Sequence, residues 1–310
     1  SDLYKRHHNY GNQTDSITYY LNQPHRCKVF DYDLGQKDTL FSTMDSIRYM
    51  ERFMHCGFVA IAPHTGEVKA WVGDINFQSW KYDKVLSKRQ PGSTFKLFVY
   101  TEAMNQGLSP CDLRVDENIP WEVEENGEKK LWMPHNANGG ATLDTMSLKM
   151  AFAQSVNTIA ANIAHEVGIH QIATTAHRMG IQTKLEETPA LSLGASDVSL
   201  LELVSAYGTV VNDGEAIQPI LITRVENKDG KVIYQQEAEA TQAIPYASAY
   251  LMQQMLRGGL TCPKGTSQAL WRFRIFDKGT EFGGKTGTSS NHSDAWFVGI
   301  SPNLVGGAWV

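Results

Sequence analysis

Residues 89–100 read RQPGSTFKLFVY, a turn followed by a run that is apolar except for a single lysine. Pro91 and Gly92 favour the turn, and the residues after them have the pattern of a helix. Side chains three apart share one face of a helix, so Ser93 and Lys96 are predicted to be neighbours in its first turn. The free backbone amides and the positive end of the helix dipole would there favour a developing oxyanion.

A serine and a lysine placed together can form a nucleophile and its base. A serine hydroxyl is a poor nucleophile at neutral pH until a nearby group takes its proton. A lysine that is desolvated, or crowded by a second cation, can be that group because its pKa falls. The same pair also fits an ordinary helix cap with a solvated lysine, so Ser93 and Lys96 alone leave both interpretations open.

Apolar runs bounded by turn residues predict strands near both ends of the chain. The runs GFVAIAP and EVKAWVG, separated by HTG, predict a β-hairpin over Gly57–Gly73. The runs DAWFVGI and LVGGAWV, joined at Pro302 and Asn303, predict a further antiparallel pair. A peripheral hairpin is predicted where Asp229 and Gly230 supply the positive φ angles of a tight turn.

Helical patterns fill the middle of the chain. Helices are predicted at Ser93–Asn105, Leu143–Gln154, Thr158–Val167, Leu200–Val211 and Ala247–Arg257, the last one stopped by Gly258 and Gly259. Strands at both ends with helices between them predict a fold of the α/β (α+β) class. We expect an antiparallel sheet sandwiched by helices, with a mainly helical subdomain inserted in the middle of the chain.

Composition excludes several classes of protein. The chain has 310 residues, 42% of them hydrophobic, which is ample for a sizeable core. A net charge of −5 argues against nucleic acid as a partner, and no run of about 18 apolar residues occurs. The cysteines lie far apart without the spacing of zinc sites, so neither a metal nor a cofactor is predicted, and their pairing stays open.

Two further motifs change the weight of the serine and lysine pair. The segment QSVNT places Ser155 and Asn157 just after an apolar helix. The segment GGKTGTSS places Lys285, Thr286 and Thr288 beside glycines in a predicted strand. One such motif arises easily by chance, whereas SxxK, SxN and KTG in this order, each in its expected setting, do not.

The three motifs together resemble those of the penicilloyl-serine transferases. The chain is more closely similar to the transpeptidase domain of class A, or bifunctional, penicillin-binding proteins, from about Phe58 onward. This resemblance rests on GFVAIAPHTGEVKAWVG, RQPGSTFK, LGASDVSLLELVSAYGTVVNDG and GKTGTSSNHSDAWFVGISP. Residues 265–267 resemble a turn that the family has before its last strands, for which a structural role is expected.

The resemblance implies a β-lactamase/transpeptidase-like fold and a division of the chain. Residues 1–55, which include TMDSIRYMERFM, are expected to be the connector from a glycosyltransferase domain, and residues 56–310 the transpeptidase domain. The family packs a C-terminal helix on the sheet, and this helix is expected beyond Val310. The full-length protein is expected to be membrane-anchored and to act at the outer face of the cytoplasmic membrane, in the periplasm or its equivalent.

For the catalytic residues, the resemblance implies one role each. Ser93 would attack the penultimate D-alanine of a peptidoglycan stem peptide and form an acyl-enzyme, with Lys96 as its base. Ser155 would relay a proton to the leaving nitrogen. Asn157 would hold the substrate amide and position the base, and Lys285 would supply positive potential.

The substrate-binding residues follow from the same resemblance. The hydroxyls of Thr286 and Thr288 would bind the terminal carboxylate, and Gly287 would let the substrate lie along the strand. Backbone amides of the nucleophile and of Thr288 would form the oxyanion hole. Trp132 and Asn136, in LWMPHNANGG, are expected in a cleft wall that touches substrate, and β-lactams are expected to acylate the same serine.

Other functions can be tested against the same sequence. An α/β-hydrolase should show GxSxG, which does not occur. A class A β-lactamase needs a glutamate with an asparagine four residues later between its second and third motifs, and no glutamate over 158–284 has one. A DD-carboxypeptidase, or a penicillin sensor of the same fold that transfers nothing, remains an alternative.

Overall fold

The computed structural model divides the chain into two compact units. The small unit extends to His55 and includes Asp74–Tyr82, and the large unit comprises Cys56–Gly73 and Asp83–Val310. The structure describes residues 14–125, 128–137, 139–277, 279–289 and 293–310.

Helices and strands are numbered here in chain order. The α-helices of the described residues are α1 (Thr14–Leu21), α2 (Thr43–Met50), α3 (Lys96–Asn105), α4 (Leu148–Gln154), α5 (Asn157–Val167), α6 (Ile169–Arg178), α7 (Leu200–Val211) and α8 (Tyr246–Thr261). Short 3₁₀ helices span Gly92–Phe95, Pro189–Leu193 and Gln268–Phe273. The strands are β1 (His25–Asp31), β2 (Gly35–Phe41), β3 (Gly57–Ile61), β4 (Val68–Val72), β5 (Lys88–Arg89), β6 (Leu113–Val115), β7 (Trp121–Glu125), β8 (Glu128–Trp132), β9 (Thr145–Ser147), β10 (Val198–Ser199), β11 (Glu215–Ile217), β12 (Arg224–Glu226), β13 (Val232–Gln235), β14 (Ala240–Gln242), β15 (Gly283–Thr288), β16 (Ala295–Ser301) and β17 (Leu304–Trp309).

The large unit is organised around an antiparallel sheet with the strand order β15-β16-β17-β3-β4. Both predicted hairpins, β3–β4 and β16–β17, are confirmed, and β17 pairs with β3, so strands from the two ends of the sequence adjoin. Helices α3–α8 lie in the sequence between β4 and β15. The predicted fold class, an antiparallel sheet with helices and an inserted helical region, is confirmed.

Helix α7 covers one face of this sheet. It begins with a capping box, in which Ser199 and Glu202 satisfy each other's backbone amides, and it buries most of its residues. A side chain at Gly307 of β17 would lie 2.8 Å from Leu200 Cδ1, so the helix rests almost directly on the strand. Val59, Val298 and their neighbours on this sheet face join the helices in one hydrophobic core.

The prediction that glycines stop helix α8 is wrong. The helix continues through Gly258 and Gly259 to Thr261. A Cβ atom at Gly259 would lie 2.9 Å from the carbonyl oxygen of Gly284, which is too close for a real side chain. These glycines therefore allow α8 to pack against the backbone of β15, and this packing outweighs their low helix propensity.

Two smaller predictions also need correction. Helix α4 begins at Leu148 rather than Leu143, because Ser147 caps it and residues 145–147 pair with β6 as strand β9. The hairpin β12–β13 forms as predicted, but only Gly230 of its turn has a positive φ angle, 79°. Asp229 donates its backbone amide to the Asn227 side chain, which stabilises the turn instead.

The small unit consists of the β1–β2 hairpin, helices α1 and α2, and the segment Asp74–Tyr82. Phe30, Phe53 and Trp80 form an edge-to-face aromatic cluster with ring centroids 5.0–5.6 Å apart. Across the described ranges of both units, none of the helices has the length and apolar character required to cross a bilayer.

Candidate active site

The first motif lies at the start of a helix that is buried along almost its whole length. Ser93 belongs to the 3₁₀ turn Gly92–Phe95, and the backbone amide of Lys96 donates to the Ser93 carbonyl. Side chains three apart are eclipsed in a 3₁₀ turn, so Ser93 and Lys96 lie on the same side of the chain. Ser93 is half-buried, whereas Lys96 and the following residues of α3 to Met104 are buried. The Ser93 side chain is therefore partly accessible to solvent, whereas the Lys96 amine is shielded from it.

Lys96 is held by oxygen atoms of the second motif. Its Nζ donates to the Ser155 carbonyl at 2.7 Å and to Asn157 Oδ1 at 2.6 Å, and it lies 3.3 Å from Ser155 Oγ. Complete burial, together with the positive charge of Lys285, holds the pKa of Lys96 well below its usual value. The neutral amine, which can accept a proton, is therefore more accessible for Lys96 than for a solvated lysine.

Ser155 lies at the junction between α4 and α5 in a left-handed conformation. Its φ and ψ angles are 61° and 38°, and it is the C-cap residue of α4. Such a conformation costs a residue other than glycine about 1–2 kcal/mol. A glycine would avoid the strain but would have no hydroxyl, and the Ser155 hydroxyl is the group that both lysines contact.

Lys285 approaches the same hydroxyl from the sheet. It projects from β15 toward the core, opposite Val298 of β16, and is 1% exposed. Its Nζ donates to Ser155 Oγ at 2.9 Å and to the Thr286 carbonyl at 3.0 Å, and lies 5.8 Å from the centroid of the Phe152 ring. Burial lowers the pKa of Lys285 to about 7.

The arrangement of two amines around one hydroxyl can move protons. Ser155 Oγ accepts from both Lys96 and Lys285, so it connects the two nitrogen atoms. When Lys96 is neutral, the Ser155 hydroxyl can donate to its lone pair while Lys285 continues to donate to the oxygen. A proton can then pass between the amine and the hydroxyl without leaving the buried site.

Asn157 is the first residue of α5, and its carboxamide is used at both ends. Its Oδ1 accepts from Lys96, while its Nδ2 donates to the carbonyl of His135 at 2.8 Å. Because that carbonyl can only accept, the amide nitrogen must face it and the amide oxygen must face the lysine. The sequence motif SxN thus delivers an acceptor to Lys96 in a fixed orientation.

The residues predicted for the cleft wall have other contacts in the structure. Asn136 accepts from the Asn157 backbone amide at 2.8 Å and donates to Asp116 at 2.9 Å, so it lies behind the second motif. Trp132 is half-buried, and its ring packs edge-to-face on Trp121 at 6.0 Å. Contact of Trp132 or Asn136 with substrate stays a prediction.

The third motif ends directly beside the first. A Cβ atom at Gly92, where φ is 52°, would lie 2.8 Å from the Thr288 carbonyl carbon. A Cβ atom at Gly287 would collide with the Pro91 carbonyl oxygen and lie 3.2 Å from the Thr94 backbone nitrogen. Backbone therefore meets backbone where β15 passes the Ser93 turn, and only glycine fits on either side of the contact.

Two residues near the site were given no catalytic role by the sequence. Asp116 stands next to Glu117 in the sequence, and no motif marks it. Thr266, expected only in a structural turn, accepts a hydrogen bond from the Thr286 hydroxyl at 2.7 Å and donates its backbone amide to the Ala153 carbonyl. Its turn therefore joins α4 to β15.

Among the described residues, no three His, Cys, Asp or Glu side chains lie close enough together to hold a metal ion.

Comparison with known proteins agrees with this geometry. The family model "Penicillin binding protein transpeptidase domain" matches residues 56–307, and "Penicillin-binding protein middle domain" matches residues 1–54. Penicillin-binding protein 1A of Vibrio cholerae is 32% identical over 286 residues, covering 82% of this chain and 34% of that protein. The chain spans about a third of the length of the curated relatives it matches.

Solved structures share the fold. The crystal structure of penicillin-binding protein 1A from Haemophilus influenzae matches with a TM-score of 0.74 and 26% identity, over 82% of this chain and 42% of that one. Penicillin-binding protein A of M. tuberculosis, solved as a ceftriaxone acyl-enzyme complex, matches with a TM-score of 0.67 over 82% of this chain and 67% of that one, and its 18% identity supports the fold alone. With SxxK, SxN and KTG gathered around buried lysines and a family model matched over residues 56–307, this chain belongs to the transpeptidase-domain family of the penicillin-binding proteins, with class A proteins among its relatives.

Proposed function

We propose that this chain is a DD-transpeptidase domain that cross-links peptidoglycan stem peptides through an acyl-enzyme on Ser93. The observation that supports it most is the buried Lys96 amine, which donates to Ser155 O and Asn157 Oδ1. A neutral amine has two N–H groups and one lone pair, so these acceptors use both donors. The lone pair is left to take a hydroxyl proton, as a general base requires.

Acylation begins when Lys96 takes the Ser93 hydroxyl proton and Ser93 Oγ attacks the carbonyl carbon of the penultimate D-alanine. The resulting oxyanion is held by the backbone amides of Ser93 and Thr288, each worth roughly 3 kcal/mol in such sites. Collapse of this intermediate breaks the C–N bond to the terminal D-alanine. The proton from Lys96 reaches the leaving nitrogen through Ser155, which lies beside both lysines.

The second half-reaction uses the same groups in reverse. The amine of a second stem peptide attacks the acyl carbon, and its proton passes through Ser155 to Lys96. Collapse then forms the new amide bond, breaks the ester and returns the proton to Ser93. Only the terminal D-alanine is released, so no outside oxidant or energy source is needed.

Strand β15 is suited to hold the donor peptide. It is an edge strand of the sheet, so a peptide can add along it with backbone hydrogen bonds. Thr286 and Thr288 alternate with Lys285 along the strand, so their hydroxyls share one face and can bind the terminal carboxylate together. Lys285 adds positive potential from the buried side of the strand.

We also propose roles for the rest of the chain and of the full-length protein. Residues 1–55 would connect the transpeptidase to a glycosyltransferase domain, and a membrane anchor would hold the protein at the outer face of the cytoplasmic membrane. The match of residues 1–54 to a penicillin-binding protein middle domain supports the connector, and the greater length of the curated relatives supports further domains.

The acyl-enzyme is tested by intact mass after incubation with benzylpenicillin. We expect a stable gain of one penicilloyl group, on the Ser93 peptide, and no gain in Ser93→Ala. A parent chain that gains no mass would overturn the proposal. Rapid turnover of the penicillin would instead indicate a β-lactamase.

Cross-linking itself needs a second assay, with nascent glycan that carries stem peptides as substrate. Cross-linked dimers that disappear in Ser93→Ala are expected from a transpeptidase. Loss of terminal D-alanine without dimers would indicate a carboxypeptidase. No product of either kind, together with penicillin acylation, would indicate a sensor.

A further inference from the structure

Asp116 is a buried carboxylate behind the catalytic centre and belongs to none of the three motifs. We propose that it is a positioning residue for the general base: through Asn136 and Asn157 it sets the orientation of the acceptor that faces Lys96. This inference rests on the proposed function, since it assigns a part in the acylation step.

The first observation is that Asp116 is satisfied without a cation. It is 2% exposed, and within the described residues no lysine, arginine or histidine forms an ion pair with it. It accepts hydrogen bonds from the Thr142 backbone amide and hydroxyl, both at 2.9 Å, from Asn136 Nδ2 at 2.9 Å, and from the Thr158 hydroxyl. A carboxylate buried this far is tolerated only with such partners.

The charge of Asp116 follows from these contacts. Burial by itself raises the pKa of a carboxyl group, but the hydrogen bonds from Thr158, Thr142 and Asn136 outweigh that effect and lower the pKa of Asp116. The side chain is therefore an anion that can only accept hydrogen bonds.

An anion at this place dictates how Asn136 is turned. The carboxamide of Asn136 must direct its NH₂ group at Asp116, which leaves its oxygen for the backbone amides of Asn157 at 2.8 Å and Thr158 at 3.3 Å. These are among the amides that a helix cannot satisfy itself at its start, and Val156, the N-cap residue of α5, has no side-chain cap. Asn136 therefore caps α5 from a distant segment.

The last step leads to the catalytic amine. Asn157 begins α5, so the Asn136 cap fixes its backbone, and the neighbouring carbonyl of His135 accepts from its Nδ2. With both groups placed by one tethered loop, Asn157 Oδ1 faces Lys96 at 2.6 Å. Asp116 thus acts on Lys96 through the Asn136 side chain, the Asn157 backbone and the Asn157 side chain, and each of the two carboxamides has only one orientation that satisfies its neighbours.

The test is Asp116→Asn, which keeps the shape of the side chain but removes its charge. The new carboxamide can also turn its own NH₂ group toward the NH₂ group of Asn136, so it no longer fixes the orientation of Asn136. We expect the rate of acylation by benzylpenicillin to fall about tenfold, which is part of the hundredfold or more that general bases usually supply. We also expect the pKa of Lys96 to fall further, because a nearby negative charge and an oriented acceptor both favour the ammonium form. It can be followed directly by NMR titration of the lysine Cε signal, assigned with Lys96→Arg.

Asp112→Asn is the matched control, since the same change is made four residues earlier in the same segment. The Asp112 carboxylate accepts from the Ser109 backbone amide and, among the described residues, forms no hydrogen bond or ion pair with the site, so acylation and the Lys96 titration should be unchanged. Thr142→Val provides a milder version that keeps the carboxylate but removes one donor. It should lower the acylation rate about two- to threefold and move the Lys96 titration in the direction seen for Asp116→Asn.

The outcomes separate the inference from a merely structural role. A lower melting temperature in Asp116→Asn, with the Lys96 titration and the acylation rate of the folded protein unchanged, would overturn it. If Asp116→Asn does not fold, Thr142→Val decides, and parent-like behaviour at every pH would overturn the inference. If the parent is not acylated, the proposed function fails, while a changed Lys96 titration in the variants would still support the positioning role.

Discussion

The two sides of the candidate active site are built in different ways. On the helical side, where α4 meets α5, hydrogen bonds of 2.6–2.9 Å connect the side chains of Lys96, Asn157, Asn136 and Asp116, with the Asn157 backbone amide as the donor to Asn136. On the sheet side, β15 meets its neighbours backbone against backbone, at positions where glycine leaves no side chain in the way.

This difference separates the chemistry from the shape of the site. Hydrogen-bonded side chains can be exchanged one at a time, and each exchange should change proton transfer more than it changes folding. Backbone contacts cannot be changed without moving a whole element, so substitutions there should first reduce the free energy of unfolding.

The largest expected effect is on the helical side. Lys96→Met should reduce acylation by benzylpenicillin about a thousandfold, because the proposed general base is lost. The free energy of unfolding should stay the same or increase, since methionine fills a similar volume without a buried amine. Stopped-flow acylation and urea unfolding measure the two effects. A variant that keeps parent-like acylation would remove Lys96 from the mechanism.

On the sheet side, Gly92→Ala should destabilise the fold by about 2–3 kcal/mol in urea unfolding. The Cβ atom would collide with Thr288, and a φ angle of 52° is itself unfavourable for alanine. Gly107→Ala is the matched control, because φ is 97° there and nothing lies within 4 Å of the new atom. Equal losses in the two variants would show that the close contact with β15 contributes nothing.

Stability should also depend on pH through Lys285. Its pKa is about 7 in the folded chain and near 10.5 when unfolded, so between these values the unfolded state binds more protons. The free energy of unfolding should therefore rise with pH from 7 toward 10, by up to about 1.4 kcal/mol per pH unit, relative to Lys285→Met. Below pH 7 the free energies of unfolding of the parent and of Lys285→Met should change with pH in parallel. Parallel curves over the whole range would contradict the burial of a neutral amine.

The smallest expected effect is at the edge of β15. Thr266→Val removes the partner of the Thr286 hydroxyl, and it should slow acylation about two- to threefold. Thr266→Ser keeps the hydroxyl and should behave like the parent. If both variants react at the parent rate, the contact does not orient Thr286.

Local sequence patterns were sufficient for much of the fold and for the first layer of the site. Turn residues between apolar runs predict the hairpins, and each of the motifs SxxK, SxN and KTG spans only a few residues of sequence. The end of α8 was predicted wrongly because a glycine usually stops a helix, and only the distant Gly284 explains why Gly259 does not. The lowered pKa values of Lys96 and Lys285 likewise depend on burial by segments that are distant in the sequence.

The supporting residues could not be found in this way. Asp116 contacts residues 20 to 42 positions further along the chain, and one acidic residue among many carries no local sign of such partners. Thr266 meets Thr286 across a similar separation. Whether a polar residue supports a catalytic group is decided by the packing of the whole domain.

The glycine contact between α8 and β15 also bears on how such a domain can diversify. At Gly259 and Gly283 a Cβ atom would meet a backbone atom of the opposite element at 2.9 Å, Gly284 O and Leu256 C respectively, so no smaller side chain opposite can compensate for a larger residue. Substitutions that adjust the shape or reactivity of the site are therefore expected mainly on the helical side, where one polar side chain can replace another. The two walls are therefore expected to tolerate substitution at different rates.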